Sequence, residues 1–369
     1  MPNPNAMGFQ LLVNGQMYGG WVSIEVTRSI DAMAPSFEVE STERWPGQPA
    51  NWPVQTGDAV KVTVDGESLM TGWVDEVEPE EDGAQHTIRI RGRGKTGDLV
   101  DCSAMNRPGR WSNRKIEQII SELTAPFGIS TTAIGDTGAP VKAFALQQGE
   151  AVKDAIDRLI QMRGVLPIES PDGNLQLITP ATTGAIGVLT LGGAGANVTH
   201  ASAKHDAKER FSTYVVKGNR QGRDGDHGKG ANQVTALAVD PLVTRYRPLV
   251  IIAEEQADAG GTASRAKFAA TVRAARSQTG KLTTPGARNA GGALWAPNAL
   301  VTVNAPDMGL QGDLMINEVR YRDSEEGTLS EISVVRPEAY SLGEVKGVGL
   351  SRLDSRHAGL GVKARKGRR

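Results

Sequence analysis

A mainly β architecture with α+β insertions is what this sequence predicts, and three observations predict it. The first is a pattern that occurs twice: residues 57–78 read GDAVKVTVDGESLMTGWVDEVE and residues 297–321 read PNALVTVNAPDMGLQGDLMINEVRY. Each copy has an apolar strand (Val60, Val62, Val64; then Leu300, Val301, Val303), a turn marked by Gly, Asp or Pro, and a return strand (Val74, Val77; then Ile316, Val319). Period-two alternation around a turn specifies an antiparallel hairpin with one buried face. Two such copies in one chain point to two β-domains of common ancestry and to a protein that builds rings. The second observation is composition: 44 glycines and 19 prolines in 369 residues, with 5% aromatics, favour turns over long helices. The third is a change of period near residue 108, where helical spacing replaces alternation.

The first β-domain covers residues 1–107. Phe9–Val13 and Met17–Val26 flank Asn14-Gly15, a strong hairpin signal. Further strands are predicted at Ser36–Ser41, Asp58–Val64, Leu69–Val77 and His86–Gly92, with turns at Asp65-Gly66 and Asp82-Gly83. So many short strands in so short a span imply a barrel or a sandwich. A small α+β domain follows over 108–182. Ser112 is placed to cap a helix carrying Ile116, Ile119, Ile120 and Leu123 on one face, with Gly128 past its end. A second helix aligns Val152, Ala155, Ile156, Leu159 and Ile160 and stops at Gly164, before a hairpin that turns on Pro171-Asp172-Gly173-Asn174.

The second β-domain covers 183–340. Residues 181–199 are rich in Gly, Ala and Thr and read as a connection with one short strand. Strands at Arg210–Gly218 and Val243–Ala253 flank the polar stretch NRQGRDGDHGKGAN, which reads as a surface loop. A helix is predicted at 262–278, and the second β-unit closes the domain from Ala293 to about Arg336. Residues 341–369 form a basic, Gly-rich tail, in which from 346 onward Lys346, Arg352, Arg356, Lys363, Arg365, Lys366, Arg368 and Arg369 face one acid, Asp354. Net charge over the chain is −1, so no global basic footprint for nucleic acid exists, and the tail reads either as a solvated end or as an arm for an acidic partner.

Motifs for catalysis are weak. Gly94-Lys95-Thr96 resembles the end of a phosphate-binding loop, but Arg89 stands where the loop needs its first glycine, and Leu99-Val100 reads as extended rather than helical. Cys102 is the only cysteine, which excludes an internal disulfide; LVDCSA reads as a strand end holding a small buried residue. His200, His205 and Asp206 read as solvated residues ahead of a strand rather than as a metal site. The carboxylate pair Asp98 and Asp101 has no partner arrangement readable from spacing, and Asn197-Val198-Thr199 lacks the secretory context of a glycosylation site. Trp21, Trp73 and Trp295 sit in or beside strands as core or interface anchors. No stretch reaches the apolar length of a membrane span, no cleaved signal leads the chain, and synthesis in a cytoplasm without membrane insertion is expected. No catalytic residue, cofactor or metal is expected.

Several runs carry a family resemblance: WVSIEVTRSIDAMAPSFEVE, GDAVKVTVDGESLMTGWVDEVE, IRGRGKTGDLVDCSA, GGALWAPNALVTVNAPDMGLQGDLMINEV and GTLSEISVVRPEAY. Together they resemble the baseplate hub proteins of Mu-like contractile-tailed phages, the late control D or tail hub family, from about residue 9 to 340. GRGKTGDLVDCSA, which holds Asp98 and Asp101, and LWAPNALV, which holds Trp295 and Asn298, are its specific signatures. The resemblance implies a homotrimer with two tube-like antiparallel β-barrel domains per chain, hence a pseudo-sixfold ring. It implies as partners the central spike, the tail tube, baseplate wedge proteins and the tape-measure protein. It further implies DNA passing without specific binding through a channel, whose lining is expected to be acidic, in a virion assembled in the host cytoplasm. Other readings are a tail-associated protein that binds or degrades peptidoglycan, with the small α+β domain gripping glycan, or the hub of a phage-derived bacteriocin or type VI secretion device.

Overall fold

Residues 8–19, 21–42, 54–81, 86–160, 163–219, 233–252 and 259–340 are described by a computed structural model. The chain divides into two compact units, one of residues 1–201, 281–301 and 315–334, the other of residues 202–280, 302–314 and 335–369. The turn at Asp82-Gly83, most of the polar stretch after Gly218 and the whole basic tail, with Arg365, Lys366, Arg368 and Arg369, lie outside the described residues.

The first unit opens with β1 (Phe9–Val13), β2 (Gln16–Tyr18), β3 (Trp21–Ser29), β4 (Ser36–Thr42), β5 (Ala59–Val64), β6 (Glu67–Glu81) and β7 (His86–Gly94). They pair in the order β3-β4-β7-β6-β5-β1-β2, each neighbour antiparallel. Alternation decides the buried face: Leu11, Val13, Ile24, Val26, Phe37, Val39, Val60, Val62 and Ile90 are all buried. Asn14-Gly15 and Asp65-Gly66 turn with positive φ at both positions (50° and 78°; 51° and 81°), the geometry that matches strand twist in a two-residue hairpin.

Next come α1 (Gly97–Asp101), β8 (Arg110–Arg114), α2 (Ile116–Thr124), β9 (Thr131–Ile134), β10 (Val141–Ala145), α3 (Val152–Ile160), β11 (Leu166–Glu169) and β12 (Leu175–Ile178). The apolar faces of α2 and α3 share one core with Leu99, Trp111, Leu175 and Leu177. β11 and β12 form the expected hairpin, and β9 joins β12 in parallel. Three expectations change here. Leu99 and Val100 are helical, because Asp98 and Leu99 bond back to Lys95 and Thr96 as soon as β7 ends. Cys102 follows that helix and is exposed rather than buried. Ser112 lies within β8, paired with Ala143 of β10, so the cap moves to Lys115, whose N–H donates to Gln118 Oε1 at 3.3 Å.

The remaining elements are β13 (Ala185–Thr190), β14 (His200–His205), β15 (Thr213–Asn219), β16 (Gln233–Val239), β17 (Pro248–Ile252), α4 (Ala259–Arg276), β18 (Gln278–Pro285), β19 (Leu300–Ala305), β20 (Leu310–Ser324) and β21 (Gly327–Val335). His200 and His205 therefore lie in a strand rather than ahead of one, because Thr199 and Asp206 bond to Thr283 and Ser277 along β18. The pairings run β14-β18-β21-β20-β19-β13, and β20 also pairs with β3. In the second unit β15 is central, antiparallel to β16 and parallel to β17. One face of this small sheet packs Val216, Ala236, Ala238 and Ile251 around Ala266 of α4. Arg210 closes the unit through Asp240 at 2.8 and 3.0 Å, a pair that is largely buried.

Candidate assembly surfaces

The two sheets are built alike. Gly57 and Asn298 each take positive φ (90° and 64°) just before a short strand. Each donates its backbone N–H to the long middle strand, Gly57 to Val74 at 2.7 Å and Asn298 to Ile316 at 2.9 Å. The middle strands return the bond, Val74 to Asp58 and Ile316 to Ala299. Gly57 meets the φ requirement by lacking a Cβ. Asn298 meets it with an amide that accepts from Ala181 N–H at 3.0 Å and donates to Thr179 C=O at 3.1 Å. Asn298 is thus a structural anchor, and the signature containing it marks a turn.

The sheets join within the chain. Residues 318–324 of β20 pair antiparallel with 23–29 of β3, Tyr321 facing Val26. Tyr321 is fully buried, its hydroxyl donates to the Trp295 carbonyl, and burial raises its pKa. Trp295 is buried, with Gly187 against its ring; a Cβ there would stand 3.1 Å from the indole. Arg288 reaches the turn after β5, donating to Asp65 at 3.1 Å and Glu67 at 2.9 Å. Trp21 starts β3 and is half-buried, whereas Trp73 on β6 is 37% exposed and so contributes surface rather than core.

The outward face of β4, β7 and β6 is a charge ladder. Arg91 donates to Glu38, Glu76 and Glu78, Arg89 faces Glu80 at 3.7 Å, and Arg93 holds Asp75 at 2.7 Å. Arg93 also grips Asp101 at 3.2 and 2.6 Å, which lowers the Asp101 pKa, while burial and then the neighbouring Asp75 raise that of Asp98. Three arginines thus meet six carboxylates. Asp101 is thus ion-paired to Arg93 at the end of β7, and Asp98 lies close enough to feel the charge of Arg93. Among the described residues, no group of His, Cys, Asp or Glu has the geometry to hold a metal ion.

A buried knot ties the α+β segment to the first sheet. Glu169 Oε2 accepts from Thr96 N–H and from Thr96 Oγ1, both at 2.7 Å, and Gly94 lies so close that a Cβ would stand 2.2 Å from Oε1. Arg28 donates to the Glu169 carbonyl at 3.2 Å, and Ser68 and Thr71 donate to Pro171 at 3.1 and 3.0 Å. Burial pushes the Glu169 carboxyl up to about 7, against the opposing pull of Thr96 and Arg28. The protonated form suits the site: Oε2–H then donates a hydrogen bond to Thr96 Oγ1, whose single hydrogen goes to the Met33 carbonyl at 3.0 Å. The Gly94-Lys95-Thr96 run is therefore a docking point for Glu169, and its glycine makes room for a carboxylate of the chain itself.

The second unit exposes an apolar face that sequence reasoning missed. Opposite the face that packs on α4, Leu237, Val239, Val250 and Ile252 are each at least 55% exposed, and Val215 pairs with both Leu237 and Val250. Exposed apolar patches of this kind are where proteins meet partners, membranes or ligands. The strands TALAV and PLVII are apolar on both faces, which signals burial of both, yet one face is exposed among the described residues.

Three segments match known families: residues 8–94 the Mu phage baseplate assembly protein GpP-like, N-terminal; 96–179 the second domain of baseplate hub protein gp44-like; and 258–343 the fourth domain of Mu phage baseplate assembly protein GpP. The chain is 31% identical over 339 residues to baseplate hub protein gp44 of Escherichia phage Mu, covering 89% of this chain and 88% of that one. Its fold resembles the 43 kDa tail protein of prophage MuSo2 from Shewanella oneidensis, with TM-score 0.82, 33% identity and coverage of 91% and 100%. The tail protein of Neisseria meningitidis MC58 shares the fold at TM-score 0.75 and 20% identity, over 90% and 99% of the two chains.

Proposed function

Because the chain belongs to the baseplate hub proteins of Mu-like contractile-tailed phages, we propose that it works as a trimeric, pseudo-sixfold ring that joins the tail tube to the central spike. The observation that carries this reading is the duplication: each chain holds two runs of strands in one order, which the pairing of β20 with β3 joins into a single 13-stranded sheet. Three such chains present six similar runs to a sixfold tube while keeping threefold symmetry for a spike. The reading assigns residues 1–107 and 183–340 to the two tube-like barrels, 108–182 to the small α+β domain, and 341–369 to a docking arm. Its relatives are structural hub proteins, and catalysis plays no part in the proposed role.

The acidic excess of the ladder on β4, β7 and β6 suits a surface that DNA slides past, since tight binding needs clustered cations facing phosphate. The bare apolar face of β15, β16 and β17 suits a partner in the baseplate, such as the wedge proteins, and the tape-measure protein would pass through the ring. Assembly in the host cytoplasm completes the reading. Tails made without this chain should lack the junction of tube and spike, and supplying the chain should restore it. Complete tails in its absence would contradict the role.

A further inference from the structure

Resting on the ring reading, we infer that neighbouring chains join by strand addition, the free edge of β6 at Glu76–Glu81 pairing antiparallel with β14 of the next copy. The internal junction is the template. Each sheet has a long middle strand whose first half pairs with a short strand, β5 or β19, and whose second half runs on beyond it. In β20 that second half is covered by β3. In β6 the ladder with β5 ends at Ala59 and Trp73, and among the described residues Glu76–Glu81 pair only with β7. The counterpart of β3 in the other sheet is β14, which pairs with β18 and ends the strand order. The same two edges therefore occur twice in each chain, once joined to each other and once, among the described residues, bare. A bare edge is a row of unmade hydrogen bonds and a template for pairing.

The internal junction also fixes the register. The matched bonds of Val74 and Ile316 set Glu76 with Glu318 and Glu78 with Arg320. The inward residues Ala201 and Ala203 of β14 take the places of Ile24 and Val26, which sets Lys204 with Thr27. Since Arg320 faces Thr27 within the chain, Glu78 faces Lys204 across chains, with Pro79 against Ala203. Both side chains are exposed, Lys204 at 74% and Glu78 at 52%, and the pairs they now make, with Asp206 at 3.4 Å and Arg91 at 3.3 Å, lie at the surface where they can be exchanged or shared. Charge separates the two junctions: β20 presents Arg320 to Glu25 of β3 at 3.3 Å, whereas β6 presents a carboxylate to a lysine. Seating β14 against β20 would place Lys204 opposite Arg320, so the wrong pairing is disfavoured. Pro79 removes one donor from the bare edge, which limits indiscriminate growth of the sheet. The contact is heterologous, and it closes into a ring when the rotation per sheet closes.

The test is cross-linking of the full chain carrying Cys102→Ser. Facing residues on antiparallel strands lie within reach of a disulfide. Co-expressed Glu78→Cys and Lys204→Cys chains should give a linked dimer on oxidation, each variant alone should give none, and the E78C/K204C chain should give a covalent trimer. A particle of trimer mass without these cross-links would overturn the pairing and leave the ring standing. A chain that stays monomeric at every concentration would overturn the ring and the pairing with it.

Discussion

The buried Trp295 indole packs against Gly187, so its removal leaves a large cavity, while the Trp295 backbone carbonyl that accepts from Tyr321 is kept. Trp295→Ala should lower stability by about 3 kcal/mol or more, read as a shift in denaturation midpoint. A variant as stable as its parent would contradict the burial. Glu169 makes a pH-dependent prediction. Its folded pKa of about 7 lies above the usual 4.5, so between those values the folded chain keeps a proton that the unfolded chain releases. The stability from this site is full below about 4.5 and is lost as pH rises through about 7. Glu169→Gln should remove that dependence and gain on the parent at alkaline pH; an identical stability difference on both sides of the window would show that Glu169 does not titrate there.

Among elements, the long alternating strands, the Asn14-Gly15 and Asp65-Gly66 turns and the one-sided helices α2 and α3 were legible, because local period and turn chemistry determine each of them. β8 was not: RWSNR has one apolar residue, Trp111, and becomes a strand only through pairing with β10. α1 is too short to show a helical period, which is also why Cys102 was placed in a strand end. The β20–β3 junction unites segments at opposite ends of the chain, and no local pattern specifies such a register. Among the candidate residues, Trp21, Trp73 and Trp295 all read alike as core or interface anchors, and the burial of Trp295 is a finding of the structure. The exposure of Trp73 and the Arg93 clamp on Asp101 depend on which strands become neighbours. The closing pair of the second unit belongs at this scale too. Asp240→Ala removes the paired carboxylate of the largely buried Arg210 guanidinium and should destabilise that unit first, by about 3 kcal/mol; unchanged protection of its backbone amides would contradict this.

For the whole molecule, the bare apolar face and the charged tail are the features an isolated chain does not account for. Leu237→Asp should leave the fold intact, since that side chain is 61% exposed, and weaken incorporation into baseplates. Normal incorporation would exclude the face as a docking surface. Deleting residues 347–369 should likewise spare the fold and impair docking to spike or tube, and particles that assemble normally without them would rule out the arm. The central claim is that this chain closes a ring of three, and the direct measurement is its absolute mass in solution by light scattering after size exclusion, across a range of concentrations. The account predicts a particle of three times 39.1 kDa. A mass that stays at one chain, at every concentration and with spike or tube protein added, would contradict it.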